Sequence, residues 1–394
     1  MSRKGWRTSR LYFCCCWSVC PPVLVPLGHS ERDTEKGPAS QNRCGRVCIE
    51  ATMHLGIILL SALLLLSPCY AQDPFAWLYS RRSSIQADNT GGECPAECDC
   101  PPTFSIAMYC DGRGLTAMPT IPSRMKYLYL QNNAIASISD SALVNGSNLV
   151  WLMMHHNQLT SDAISEKAFL KLEKLERFYL QHNNLSRVPS NVPRTLRDLR
   201  INHNNIEKVT PSDLEGMDNL TILHLHDNAI TDVGASLKSL TSLTLLDISN
   251  NKLTKVPEAL PGQLHQLYLD SNSIASLPEG FFANLAQLQY LRMASNQLTD
   301  KSLPSNIFNV TGLVELDLSF NKLERIPPVS TALQHLYLQA NHIKEFTLGS
   351  FCPIVDVSNF SKLESLRLEG NAISQQDIPS DWSLCLRFAS SVDI

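Results

Sequence analysis

The chain has 394 residues, a formal charge of −4 and an apolar fraction of 44%, a composition that suits a packed globular protein and excludes a disordered one. With 33 basic against 37 acidic residues there is no cationic surplus, which excludes recognition of nucleic acid through its phosphates.

The first hydrophobic segment is Leu55 to Ser67, LGIILLSALLLLS. It has the length of a signal-peptide core and is too short for an ordinary membrane span. Small residues at Cys69 and Ala71 suit signal peptidase, so residues 53–71 read as a signal peptide and the mature chain is expected to begin at Gln72 and to be secreted. Met53 stands just before this segment. Residues 1–52 therefore read as an upstream extension, untranslated when Met53 is the start or removed with the leader. The rival reading is a signal-anchor with residues 1–52 in the cytosol. Loss of residues 1–71, with 8 basic and 4 acidic residues, leaves 25 basic and 33 acidic residues, a net charge of −8. Six of the 13 cysteines remain, an even number behind a signal peptide, which reads as disulfides in an oxidising compartment.

Residues 72–93 form a short polar arm with too few core residues to fold alone. Residues 94–112 carry Cys94-x3-Cys98-x-Cys100-x9-Cys110 among prolines. That spacing fits zinc ribbons poorly, and a stapled knot here would cover the open end of the repeats that follow. Spacing alone leaves three pairings open.

From residue 113 to 373 one motif governs the chain. In Leu313 to Leu323, LVELDLSFNKL, leucines at 313, 316, 318 and 323 and Asn321 spell L-x-x-L-x-L-x-x-N-x-L, the leucine-rich-repeat signature, with a short strand at x-L-x-L-x. The motif Asn recurs eleven times, from Asn133 to Asn371, at spacings of 20 to 30 residues. A degenerate coil precedes them with Arg113 in the Asn slot, giving about 12 coils. Each Asn is placed to bond backbone groups of neighbouring coils. Val188-Pro189, Val256-Pro257, Leu277-Pro278 and Ile326-Pro327 predict extended outer segments, because proline lacks a donor and restricts its predecessor. Ser141 to Leu143 and Glu279 to Phe282 are the stretches expected to make helical turns. The fold expected is an α/β leucine-rich-repeat solenoid, curved, with short parallel strands on its concave face, short helical or extended segments outside, and a disulfide cap at each end. The step from Asn341 to Asn371 is the longest, 30 residues, so the coil at 342–371 is elongated. Cys352 lies in it and Cys385 in the C-terminal cap at 374–394, where a bridge would tie the last coils.

A four-cysteine cap of this spacing, about a dozen short coils and a long penultimate coil with a cysteine partner near the C-terminus resemble the small leucine-rich proteoglycans of the keratan-sulfate class, over Cys94 to Ile394. The resemblance implies the pairs Cys94–Cys100, Cys98–Cys110 and Cys352–Cys385. It also implies an extracellular-matrix protein that binds fibrillar collagen of types I and II, guides fibril growth and carries keratan sulfate on N-linked glycans. Five sequons match N-x-S/T: Asn145, Asn184, Asn219, Asn309 and Asn359, all outside the strand positions. The class carries many tyrosines among acidic residues in its arm; here the arm has only Tyr79, beside Arg81 and Arg82, so no polyanionic arm is expected.

Leucines of the motif are core, so function is expected in the strand positions two, four and six before each Asn, from Tyr127, Tyr129 and Gln131 to Ser365, Arg367 and Glu369. These are rich in Tyr and Arg, with Trp151, residue types enriched at protein interfaces. In the class the collagen contact lies in the last ordinary coil, yet the charged residues expected just after Asn371 are here Ala372 and Ser374. The contact is therefore assigned to Glu315, Asp317, Tyr337, Arg367 and Glu369. His155, His156, His182, His203, His224 and His226 gather early, and 156, 182 and 203 share one position in three successive coils. They read as a solvated ladder rather than a zinc site, and neither a metal nor a cofactor is expected. No nucleophile elbow, phosphate loop or metalloprotease motif occurs, so no enzyme is expected. The alternatives are sequestration of transforming growth factor beta or an innate-immune type of ectodomain on the same scaffold; the latter would carry a membrane anchor after the last coil. The resemblance leaves room for a weak homodimer.

Overall fold

In the computed structural model the described residues are 94 to 394 except Val357; the expected leader, signal peptide and arm lie outside them. Thirteen three-residue strands follow one another as β1 (Ala107–Tyr109), β2 (Tyr127–Tyr129), β3 (Trp151–Met153), β4 (Arg177–Tyr179), β5 (Asp198–Arg200), β6 (Ile222–His224) and β7 (Leu245–Asp247). Then come β8 (Gln266–Tyr268), β9 (Tyr290–Arg292), β10 (Glu315–Asp317), β11 (His335–Tyr337), β12 (Ser365–Arg367) and β13 (Ser391–Asp393). They form one parallel sheet in sequence order. Each strand pairs in register with the next, so Leu316 lies between Leu291 and Leu336. At the usual 4.8 Å spacing the sheet is about 60 Å wide.

The period-two alternation of a strand decides what faces what. The central residue of every strand from β1 to β12 is buried and apolar, from Met108 and Leu128 to Leu366. The apolar residues two and seven places after the strand's centre, such as Leu318 and Leu323 after Leu316, are buried in nearly every motif and complete the core. No coil can bury this set alone, and stacking supplies the missing neighbours. The ladder starts inside the range assigned to the N-cap, since β1 lies at 107–109, and it ends with β13 inside the C-cap.

Each motif Asn fastens its own coil to the one before it. Asn321 Oδ1 accepts from Leu298 N–H at 3.0 Å, while Nδ2 donates to Met293 O at 2.9 Å and Leu318 O at 3.0 Å. The residue before each Asn is left-handed: Asn132, His156, His182, His203, Asp227, Asn250, Ser271, Ser295, Phe320 and Ala340 all have φ between 50° and 58°, and Gly370 has φ 74°. The chain thus turns one corner per coil at a backbone conformation that costs a side chain something, and the Asn bonds hold it there.

The outer wall differs in one respect from expectation. Ser141 to Leu143 and Glu279 to Phe282 form runs of three-residue-spaced turns (Gly146 N–H to Leu143 O, 2.9 Å; Ala283 N–H to Gly280 O, 2.9 Å) and no helix. Helical turns occur instead at Ser161–Ala163, Pro211–Leu214, Asp300–Ser302, Leu348–Ser350 and Gln375–Asp377. At Pro211–Leu214 the Asp213 carboxylate accepts from Thr210 N–H at 2.6 Å, with proline at the first helical position where no donor is needed. The buried Val188, Val256, Leu277 and Ile326 before the outer prolines lie outside helices and turns.

Both ends are closed by disulfides: Cys94–Cys100 and Cys98–Cys110 at one, Cys352–Cys385 at the other. Cys110 follows β1 directly, and Asp99 pairs antiparallel with Tyr109, so the knot is part of the sheet it covers. At the far end Ser361 N–H donates to Cys385 O at 2.9 Å, and Arg387 lies 4.2 Å over the Phe360 ring. Among the described residues no helix is long and apolar enough to cross a membrane.

Candidate binding face

The strand face carries two outward rows in register. One runs Tyr127, Trp151, Arg177, Asp198, Ile222, Leu245, Gln266, Tyr290, Glu315, His335 and Ser365; the other runs Tyr129, Met153, Tyr179, Arg200, His224, Asp247, Tyr268, Arg292, Asp317, Tyr337 and Arg367. Neighbouring side chains at this spacing touch, and the face divides into three zones.

The first zone is aromatic and cationic. Phe104 stacks on Tyr127 at 5.4 Å, Trp151 meets Tyr127 edge-on at 5.0 Å, and Arg177 lies 4.5 Å over Trp151. Arg200 lies 4.5 Å over Tyr179 and pairs with Asp198 at 3.0 Å. Tyr179 donates to the same carboxylate at 2.7 Å; burial first, then the Asp198 charge, pushes its phenol up to about 12. Several nominal surface positions are closed over: Tyr129 stacks on Tyr109 at 4.7 Å and is 8% exposed, Met153 is 9% and Asp198 5%. These contribute rigidity rather than free contact area.

The second zone holds the histidines. His156, His182 and His203 stack ring on ring with centroids 4.1 Å apart, because all three occupy the left-handed corner of successive coils. Burial, then the neighbouring imidazoles, brings His182 down to about 4 and lowers His156, so His182 is neutral at physiological pH. His224 and His226 face Asp247, whose carboxyl stays well below its ordinary range: burial works against ionisation, and the two imidazoles, with Nδ1 atoms 3.7 and 3.0 Å away, outweigh it.

The third zone contains the predicted contact residues: four lie on β10 to β12 and Glu369 follows β12 by two residues. Tyr337 lies between Asp317 and Arg367 in register. Arg367 donates to Glu369 at 2.8 and 3.1 Å. Asp317, half-buried, bends along its own chain, with Oδ1 accepting from Ser319 N–H at 2.9 Å and Ser319 Oγ–H at 2.6 Å. Two neighbours were absent from that assignment. Arg292 donates to Glu315 at 2.7 Å and lies 5.2 Å over Tyr268, and Asp270 is pushed up to about 7 by burial, against the Ala294 N–H bond and with the Asp317 charge. Arg292 holds the same strand position as Asp317 and Arg367, which was the available signal. The five sequon asparagines, 145, 184, 219, 309 and 359, are exposed and lie off the strands. Asn359 Nδ2 donates to Asp356 at 2.6 Å.

A parallel-strand solenoid with one motif Asn per coil and a disulfide-stapled end on each side defines a capped leucine-rich-repeat protein. Family models agree: leucine rich repeat matches residues 123–185, 194–253 and 262–323, and leucine rich repeat N-terminal domain matches 93–124. The chain is 54% identical to Bos taurus fibromodulin and 52% to the Homo sapiens protein, in each case over 302 residues covering 77% of this chain and 80% of the relative. It is 42% identical to Homo sapiens lumican, covering 76% of this chain and 89% of that one. Among solved structures, a complex of Latrophilin 3, Unc5D and FLRT2 (LRR) matches with TM-score 0.56 and 29% identity, over 71% of this chain and 77% of the matched chain. The chain belongs to the fibromodulin and lumican family of small leucine-rich proteoglycans, structural proteins secreted into the extracellular matrix.

Proposed function

We propose that this protein binds fibrillar collagen of types I and II through its strand face and regulates the lateral growth of fibrils. The observation that carries the reading is the strip on β10 to β12. Glu315, Tyr337, Arg367 and Glu369 present both signs of charge and an aromatic within three adjacent strands, backed by the Tyr268–Arg292–Glu315 chain of contacts. Such a flat, regular strip suits a long protein partner better than a small molecule, whose sites are enclosed. Its pre-paired side chains need little ordering on contact, which lowers the cost of association. The exposed sequons lie off the strands, so glycans at Asn145, Asn184, Asn219, Asn309 and Asn359, extended to keratan sulfate at some of them, act as outward spacers between fibrils. In the same reading residues 53–71 are a signal peptide and Gln72 begins the mature protein.

Surface plasmon resonance on immobilised type I and type II collagen tests this. Arg367→Glu should weaken binding about tenfold, the effect of losing roughly 1.4 kcal/mol and of placing a second acid beside Glu369. Lys255→Glu, on an exposed position away from the strands, should leave it unchanged. Equal affinity for both variants and the parent would remove β10 to β12 as the contact.

A further inference from the structure

We propose that His203, His226 and Asp227 form a binding site for a divalent transition metal, zinc being the best fit, with Asp247 as the carboxylate that orients His226. His203 and Asp227 are the left-handed corner residues of adjacent coils. Their backbones are tied together: His203 N–H donates to His226 O at 3.0 Å and Asn204 N–H to Asp227 O at 3.2 Å. The side chains therefore converge by construction. His203 Nε2 lies 3.1 Å from Asp227 Oδ2, and His226 Nε2 lies 3.9 Å from the same oxygen. All three residues offer ligand atoms within 4.8 Å of one another. Zinc with nitrogen and oxygen ligands at about 2.1 Å in a tetrahedron needs ligand separations of about 3.4 Å; the two pairs to Asp227 Oδ2 lie about half an ångström or less from that value, and ring rotation brings the imidazole nitrogens, within 4.8 Å, to complete three corners.

The surroundings favour a site over a bare ladder. His226 turns its other nitrogen, Nδ1, to Asp247 Oδ2 at 3.0 Å, the carboxylate–histidine–metal arrangement that fixes the imidazole tautomer and strengthens the ligand. His226 Nδ1 and His224 Nδ1 are buried without a well-aligned hydrogen-bond partner, and a bound metal would pull the His226 ring into line with Asp247. Asn250 Nδ2 holds the second oxygen of Asp227, leaving Oδ2 for the metal. His182 stacks on His203 and restrains its ring. The ladder has no carboxylate corner until Asp227 replaces a histidine, and that change of residue type makes the site. With His203 exposed, the fourth position opens to solvent, where water or a donor atom of a docked protein completes the coordination.

The test uses the secreted, disulfide-intact protein without a histidine tag. Calorimetric titration with zinc chloride should show one metal per chain, and cobalt(II) should give the visible absorption of a tetrahedral site. His203→Asn, His226→Gln and Asp227→Asn should each lower affinity at least tenfold, asparagine being tolerated in the left-handed corner. Asp247→Asn should lower it 10- to 100-fold at unchanged stoichiometry, and His335→Gln on β11 should have no effect. Circular dichroism melts of each metal-free variant separate lost ligands from lost folding, and zinc should raise the melting temperature of the parent but not of Asp227→Asn. No stoichiometric binding at micromolar zinc, or an affinity indifferent to His203, His226 and Asp227, would overturn the site.

Discussion

Asn321→Ala tests how the coils are fastened, and its cost can be worked from the bonds it deletes. Asn321 is 5% exposed. Its Nδ2 donates to Met293 O and Leu318 O, but each carbonyl keeps a second donor, Asn296 Nδ2 and Asn341 Nδ2 respectively. Leu298 N–H, by contrast, has Asn321 Oδ1 as its acceptor and would be stranded in a core where Leu298 is 0% exposed. One orphaned buried donor costs about 1–3 kcal/mol and two weakened bonds about 0.5 kcal/mol or more each, so the loss should be about 2–4 kcal/mol. Guanidinium unfolding followed by circular dichroism should show a lower midpoint at an unchanged slope. Asn321→Asp sharpens the point: it keeps an oxygen for Leu298 N–H but sets carboxylate lone pairs against the Met293 and Leu318 carbonyls, so it should cost at least as much as alanine. A loss under about 0.5 kcal/mol for alanine, or a near-native Asp variant, would refute the fastening role.

Three further outcomes are expected. Because folded Asp270 holds its proton up to about pH 7 and the unfolded chain releases it near 4, stability should fall as pH rises from about 4 to 7; relative to Asp270→Asn, the parent should lose about 1–2 kcal/mol between pH 5 and 8, measured from paired unfolding curves. The double change Cys352→Ser with Cys385→Ser opens a loop of sequence separation 33 and should cost about 3–4 kcal/mol in the chain-entropy account, read from the same denaturant titration under non-reducing conditions. Mass spectrometry of the secreted protein should find Gln72 as the N-terminus and glycan on the five sequons; a mature peptide from residues 1–52 would exclude the signal-peptide reading.

The repeat made most of the fold legible. A motif that places an apolar residue at every strand centre and one Asn at every corner fixes strand positions, the buried face and the register at once, because a one-residue slip would expose every leucine. The outward rows followed from the same alternation. What lay beyond the motif was hidden. Left-handed corners are a consequence of closure and are occupied by His, Asp, Ser, Phe and Ala alike, so residue type does not announce them. The helical turns follow local capping, as at Thr210 with Asp213, a signal present in the sequence but outranked there by the apolar stretches Ser141 to Leu143 and Glu279 to Phe282. Pairings such as Arg292 with Glu315, or His226 between Asp227 and Asp247, join residues of neighbouring coils or one corner through chosen rotamers, which spacing does not reveal. The bend of Asp317 onto Ser319 is of the same kind.

Assembly of type I collagen fibrils followed by turbidity, with and without the purified protein, bears most directly on the proposed function. The strip on β10 to β12 predicts slower assembly or a lower plateau with thinner fibrils under the electron microscope, and a weaker effect from Arg367→Glu. Unchanged kinetics and fibril diameter at saturating protein would contradict it.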